Sequence, residues 1–511
     1  MTKDKKLYIA SAVLAFGYAA EFFITGIFIF MNMYYTFEAM PFILSAIALL
    51  PLIFAIINIF IFENSRLSVA IIAASVIMAV CHFLFAAYVL SKLTFLLITG
   101  IPVLIVLGIV GVFLFMVLAY PKLKKVGKRI SVAVLSLVIF FVSVFGILKL
   151  NFFYYTSDGV VFAVEDEYQI AWSTSVKSTG SVTVNGKTYY DMSNGENRVS
   201  TLHKVSVPMS ELDNAKSYTL SSTPVYSEAA YLSVSGKERQ KTYSFRPADS
   251  SDGLQIYNIS DNHEVLSGAA NAGRYFGDDL DILILNGDNI NDVSSLWQIS
   301  LIYKLASRIT GGERPVIYVR GNHECNGRYA AGLPDYLPGK DGNLYYTTTL
   351  GGAFFMVLDT NCDMSDENLL ITPAANFEEL RREQTEWLNA QTYFGGDCDY
   401  SILLAHMAFP LSDYERFPEW TEELTAATDG RFDVCISGHS HVLDYAEAGT
   451  ETRTSYPVIR GSIRSNRRTS GEGVNPFEFT GTAIECTGGN MNVKFTNSNR
   501  EVLQEFSIDL R

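Results

Sequence analysis

The chain has 511 residues, with 39 Lys and Arg against 53 Asp and Glu, for a formal charge of −14. Its length corresponds to roughly three domains, and the 49% hydrophobic content excludes a disordered or collagen-like chain. The charge is unevenly spread: residues 1–150 hold 11 basic and four acidic residues (+7), the remainder 28 basic and 49 acidic (−21). An acidic remainder of this kind excludes a nucleic-acid-binding module, which needs a basic patch to meet phosphates.

Residues 1–150 contain five apolar stretches, at 7–31, 41–62, 67–90, 93–120 and 130–150. Each reaches the ~20 residues that a helix needs to cross the hydrocarbon of a bilayer. The first is too long for a cleavable signal peptide and has no small-residue cleavage site before soluble sequence. Lys3, Lys5 and Lys6 precede it, and Lys122, Lys124, Lys125, Lys128 and Arg129 fill the fourth joint. The positive-inside rule puts both groups in the cytoplasm, so five crossings leave residue 151 onward outside. The expectation is an α-helical bundle of about five transmembrane helices in the cell membrane, with the remainder on the extracytoplasmic side. Glu21 and His82 lie within spans at similar depth, ~21–23 Å from the cytoplasmic entry. They read as a pair that orients helices, a functional role being the alternative.

From residue 151 to about 250 the pattern changes to short β-type runs, at 159–164, 168–172, 180–184 and 203–207. Asn185-Gly186 and Asn194-Gly195 stand between such runs as hairpin turns. A small all-β sandwich over 151–250 is predicted, similar to a fibronectin type III domain and to the β-domain that precedes the catalytic domain in purple acid phosphatases. Its expected role is a spacer, and His203 reads as an ordinary strand residue.

Beyond 250, apolar runs alternate with helical patterns at 294–309 and 377–391, and polar residues collect where the runs stop. Leu254–Ser260 leads to Asp261-Asn262-His263, and Asp281–Leu285 leads to Gly287-Asp288. Pro315–Val319 leads to Gly321-Asn322-His323-Glu324, Tyr400–Ala405 to His406, and Phe432–Ile436 to Gly438-His439-Ser440-His441. Ligands of α/β proteins sit beyond the carboxyl ends of strands. Five of the seven histidines of the chain stand at these ends. Imidazoles and carboxylates gathered there suit a pair of divalent metals, which can clamp the attacking and leaving oxygens of a phosphoryl displacement. The glycines beside them are expected to let the backbone turn and approach a phosphate.

In series, these motifs resemble D-x-H, G-D, G-N-H-[DE], a lone His and G-H-x-H, the pattern of calcineurin-like metallophosphoesterases, over residues 251–511. The resemblance implies a four-layer α/β/β/α fold and two divalent metal ions (Mn, Fe or Zn). Asp261, His263, Asp288 and His441 would hold one metal; Asp288, Asn322, His406 and His439 would hold the other, with Asp288 as the bridge. His323 would be the catalytic histidine that protonates the leaving oxygen, and Asn322 and His323 would contact substrate. Glu324 would orient the His323 imidazole. Arg320 and Arg328 flank this motif; Arg320 could meet substrate phosphate or pair with an acid. Unlike purple acid phosphatases, the second motif here ends in Asn291 rather than Tyr, which argues against a ferric-tyrosinate centre.

The implied activity is hydrolysis of phosphate mono- or diesters by water activated at the metal pair. An external site would meet phosphorylated small molecules, lipid-linked phosphates or envelope polymers. The alternative is a membrane receptor or transporter whose phosphoesterase-like domain binds phosphates without turnover. Asn326–Asn343 is the expected substrate-specific loop. Cysteines 81, 325, 362, 398, 435 and 486 match no zinc or redox spacing, and no disulfide is expected.

Overall fold

A computed structural model describes residues 153–227, 234–369, 371–461 and 479–510. The five apolar stretches of residues 1–150, with Glu21 and His82, lie outside the described residues. Among the described residues no helix is long and apolar enough to cross a membrane.

The described chain begins with β1 (Val160–Val164), β2 (Glu167–Val184), β3 (Lys187–Tyr190), β4 (Met192–Ser193), β5 (Glu196–Asn197) and β6 (Ser200–Pro208). After α1 (Met209–Ala215) come β7 (Ser217–Ser227), β8 (Val234–Ser235) and β9 (Arg239–Ser244). Alternation of strand and helix then sets in: β10 (Leu254–Ile259), α2 (Leu266–Gly273), β11 (Ile282–Asn286), α3 (Leu296–Thr310) and β12 (Pro315–Val319). The second half has β13 (Tyr346–Leu350), β14 (Ala353–Leu358), α4 (Phe377–Ala390), β15 (Tyr400–Ala405), α5 (Pro418–Thr428), β16 (Val434–Ser437), β17 (Leu443–Ala446) and β18 (Val458–Gly461). It closes with β19 (Thr480–Thr487), β20 (Asn490–Asn497) and β21 (Val502–Asp509).

Two large sheets result. The first runs β21-β20-β19-β10-β11-β12-β1-β2-β7-β8, with β3 and β6 on β2 and β9 on β7; the second runs β13-β14-β15-β16-β18-β17. Within the first sheet β10, β11, β12 and β1 are parallel neighbours. Strands buried on both faces read as unbroken apolar runs, and the alternate residues of β11 show why. Ile282 and Ile284 pack between the sheets with Phe355, Ile402 and Ile436. Leu283 and Leu285 point the other way, onto Ile299 and Ile302 of α3 and Ala269 of α2. On the far side, Leu388 of α4 and Leu424 of α5 cover Met356 and Leu403. The layers are therefore helix, sheet, sheet, helix.

The segment 151–250 differs from the expectation of a separate sandwich. Both Asn-Gly pairs do form two-residue turns, with Val184 opposite Lys187 and Ser193 opposite Glu196. The strands, however, continue the first sheet, because β1 hydrogen-bonds in parallel to β12 with Val161 opposite Pro315. The physical reason lies in β1 itself: Val-Val-Phe-Ala-Val is apolar at every position and buried at every position, as a central parallel strand must be. It therefore belongs to the large sheet, beside β12, and not to a small separate one. β1 also runs toward the carboxyl ends of β10, β11 and β12, so residue 159 enters at the opposite edge from those ends.

Candidate metal centre

Each expected ligand lies just past a strand end. Asp261 and His263 follow β10, Asp288 follows β11, and Asn322 and His323 follow β12. From the second sheet, His406 follows β15 and His439 and His441 follow β16. Three sets of side chains bring their donor atoms within 4.8 Å of one another: Asp261 with His263 and His441; His263 with Asp288 and His323; Asp288 with His406 and His439. Asn322 joins the third set through its Oδ1, 2.9 Å from His439 Nδ1. All the residues singled out for metal or catalysis are thus brought together, on both sheets.

The local backbone is bent to do so. Asp261, His263, Asp288, His439 and His441 all have positive φ, between 41° and 65°. Asp and His tolerate this region better than most residues, yet each such position costs on the order of 1–3 kcal/mol and persists only where its surroundings impose it. Such strain concentrates at functional sites. The glycines beside the ligands help: Gly287 makes its turn with a φ of 79°. A side chain on Gly321 would strike Asp288, and one on Gly438 would strike Ser260 and Asp261. They leave room for ligand turns from neighbouring strands to meet.

Hydrogen bonds then aim the ligands. His406 is buried, and its Nδ1 donates to Asn286 O at 2.7 Å, which turns Nε2 toward the acids. That Nε2 has no hydrogen-bond partner and lies 3.3 Å from Asp288 Oδ2 and 4.0 Å from Asp261 Oδ1. Asp261 accepts from the Ser260 hydroxyl and from His439 N at 3.0 Å. His263 and His441 rings stack with centroids 5.3 Å apart, their Nε2 atoms at 3.4 Å.

Electrostatics mark the same place. Asp261 and Asp288 are buried, and among the described residues their ion pairs are all with histidines. Burial pushes the Asp261 carboxyl up to about 7. Asp288 is also raised by burial, but the neighbouring His406 charge outweighs this and holds it below the usual carboxylate range. Burial lowers His406, and the Asp288 and Asp261 charges overcome that to lift it to about 10. His439 is lowered to about 4 by burial and by His406. Two buried carboxylates side by side demand positive charge. Divalent cations would meet the same demand, and the donor set of imidazoles, carboxylates and one amide suits them. The residues present fit the group.

Two expectations change. Glu324 does not reach the His323 imidazole: it is fully buried, and its carboxylate accepts from the backbone N–H groups of Asp288 at 2.9 Å, Gly321 at 3.0 Å, Asn289 at 2.8 Å and Ile290 at 3.3 Å. It fixes the loop that carries Asp288. The imidazole is oriented instead by Asn291 O, 2.9 Å from His323 Nδ1, while His323 N donates to Asp288 Oδ1 at 2.9 Å. Of the two alternatives for Arg320, the structure shows the acid pair, with Asp359. The Asn326–Asn343 loop is tied down rather than free. Gln169 exchanges two hydrogen bonds with Gly339, and the Lys204 ammonium donates to Pro334 O and Leu337 O. The described cysteines are free thiols.

One group went unread. Asp359, Thr360 and Asn361 follow β14 and are buried beside the site, with Thr360 Oγ1 accepting from Met407 N at 3.1 Å. The signal was present: Ala353–Leu358 is an apolar run ending in Asp-Thr-Asn, the same grammar as the five other strand ends.

Against known proteins, residues 254–443 match the family model for calcineurin-like phosphoesterase. No curated protein matches the chain. Among solved structures, a purple acid phosphatase from yellow lupin (Lupinus luteus) seeds is 14% identical, covering 69% of this chain and 74% of that one, with a TM-score of 0.44. PhoD is 12% identical over 69% of this chain and 89% of its own, with a TM-score of 0.42. A predicted phosphoesterase from Streptococcus pneumoniae is 17% identical over 50% and 98%, with a TM-score of 0.24. From residue 254 to 443, then, the chain is similar to calcineurin-like phosphoesterases, and the strand ends of that stretch gather a candidate metal-binding cluster.

Proposed function

We propose that the protein is a dinuclear-metal phosphoesterase that hydrolyses phosphate mono- or diesters. The observation that carries this reading is the convergence of acids and imidazoles from five strand ends, with Nε2 of buried His406 facing the Asp288 and Asp261 carboxylates. Asp261, His263, Asp288 and His441 would hold one cation, and Asp288, Asn322, His406 and His439 the other. When bound, the pair would neutralise phosphate charge and lower the pKa of water.

The remaining steps belong to side chains. The His323 side chain is 41% exposed, and its Nδ1 is engaged by Asn291 O. With the proton held on Nδ1, Nε2 faces the site and can accept a proton and return it to the leaving oxygen. His323 also has a donor atom within 4.8 Å of those of His263 and Asp288, so the metal content of a His323→Ala variant separates proton donor from ligand.

We also propose that residues 1–150 anchor the enzyme as a multi-pass membrane protein with the site on the extracytoplasmic side. The +7 and −21 split of charge supports this. Substrates would then be phosphorylated small molecules, lipid-linked phosphates or envelope polymers.

The test uses the full chain purified in detergent. Bound metal is measured, and p-nitrophenyl phosphate and its bis-ester are assayed with added Mn(II). Turnover that requires metal is the expected result. Full metal occupancy without turnover on either ester would favour a receptor or transporter that only binds phosphates. Protease added to intact cells should remove the catalytic part; protection would place it inside.

A further inference from the structure

The two sheets must hold ligands from both sides in register, and one buried ion pair ties them at the site. Arg320 lies between the end of β12 and Gly321-Asn322 in the first sheet. Asp359 follows β14 in the second sheet, and both side chains are buried. The contact is two-pronged: Arg320 Nε donates to Asp359 Oδ1 at 3.1 Å, and Nη2 lies 2.5 Å from Oδ2. Such a fork fixes orientation as well as distance.

The second-sheet end is rigidly seated. Gln384 of α4 donates to Asp359 O at 3.0 Å and accepts from Asp359 N at 2.7 Å. Asn361 N donates to Asp359 Oδ1 at 2.8 Å. From there the connection reaches a ligand directly, since Thr360 accepts from Met407 N, the residue after His406. β14 and β15 are parallel neighbours, with Leu358 opposite Ala405, so Asp359 and His406 leave the sheet side by side.

We propose that the Arg320–Asp359 pair is a positioning device for one half of the metal cluster, the half formed by Asn322, His406 and His439. This rests on the metal-centre reading above. Arg320 adjoins the Asn322 turn and Asp359 adjoins His406 through Thr360, so the pair sets how closely ligands of the two sheets approach. Asp261, in the other half, is held across the sheets by the backbone N–H of His439 rather than by this pair. A buried ion pair is weak evidence for stability, because well-packed apolar residues do as well. Its value here is geometric.

The experiment takes the full chain, stripped by chelator, and titrates it with Mn(II). Calorimetry reads the two binding steps, and electron paramagnetic resonance separates coupled from isolated Mn(II). Arg320→Lys keeps the charge but loses the fork, leaving Asp359 compensated. Arg320→Gln combined with Asp359→Asn serves if the single variant fails to fold. The expected result is a loss of about 10–100-fold in affinity at one step only, with the coupled signal replaced by an isolated one. Equal losses at both steps, or none at either in a folded variant, would overturn the proposal. Wild-type protein that takes up no Mn(II) would overturn the metal-centre reading itself, a distinct result.

Discussion

Two buried histidines, one in each β-rich region, make an instructive pair. His203 on β6 is 1% exposed, stacks on Trp172, and has both ring nitrogens engaged: Nδ1 by Asp191 at 2.9 Å and Nε2 by Ser178 Oγ at 2.8 Å. His406 past β15 is equally buried, but only its Nδ1 is hydrogen-bonded, while Nε2 faces the Asp288 and Asp261 carboxylates at 3.3 and 4.0 Å. A serine, a histidine and an acid in hydrogen-bond series would suit nucleophilic catalysis if they lined a cleft, yet Ser178 is fully buried in β2. Burying a polar atom without a partner costs free energy. A closed network therefore stabilises, and an open one at a strained set of strand ends is retained for what it binds. Satisfaction separates the two histidines where burial does not.

The strongest way to break this contrast is at Asp288, which belongs to two of the ligand sets. Asp288→Ala should abolish metal uptake and turnover together; retained turnover with metal bound would remove it from the centre. His323→Ala is next. It should lower kcat by about 10²–10⁴-fold while bound metal stays at the wild-type level. Metal loss in that variant would make His323 a ligand. Glu324→Gln acts one step further out. An amide in place of the carboxylate turns an N–H₂ toward the backbone donors of the Asp288 loop. The expected cost is about 1–3 kcal/mol of stability and a metal affinity about 10–100-fold weaker. An unchanged melting temperature and metal titration would show that the four hydrogen bonds do not set the loop.

Much of this site was legible in the chain, for a physical reason. Parallel strands buried on both faces are continuous apolar runs, so Ile282–Leu285 and Leu403–Ala405 announce their ends, and the residues just past those ends must be polar for some purpose. The β14 end obeys the same rule, and its Asp359 was missed only because no motif drew the eye to it. Glu324 could not be read correctly, since three of its four partners are backbone N–H groups 34–36 residues away, brought close by the β11–β12 pairing. The joining of the 151–250 strands to the first sheet was hidden for another reason. Hairpin turns at 185–186 and 194–195 are local and were legible, whereas β1 finds its neighbour β12 about 150 residues downstream. No local pattern encodes that pairing, beyond the apolar continuity of Val160–Val164.

The smallest expected effect tests the contrast from the other side. Ser178→Ala would leave His203 Nε2 buried without its 2.8 Å partner, giving it the same open nitrogen that His406 has. The Thr174 hydroxyl, 3.2 Å from Ser178 Oγ, would lose a contact as well. The cost should be about 1–2 kcal/mol, read as a lower melting temperature. Metal binding at this position is not expected. A divalent ion needs several donors converging on one point, and His203 Nε2 would face a strand interior, with Asp191 already engaged on the other side of the ring. Mn(II) stoichiometry should therefore equal that of the wild type, and turnover should be unchanged below the melting range. An extra equivalent of bound Mn(II) in Ser178→Ala would show that an unpartnered imidazole alone can recruit a metal in this fold. Any preference of metal for the His406 site would then come from its carboxylates, Asp261 and Asp288, alone.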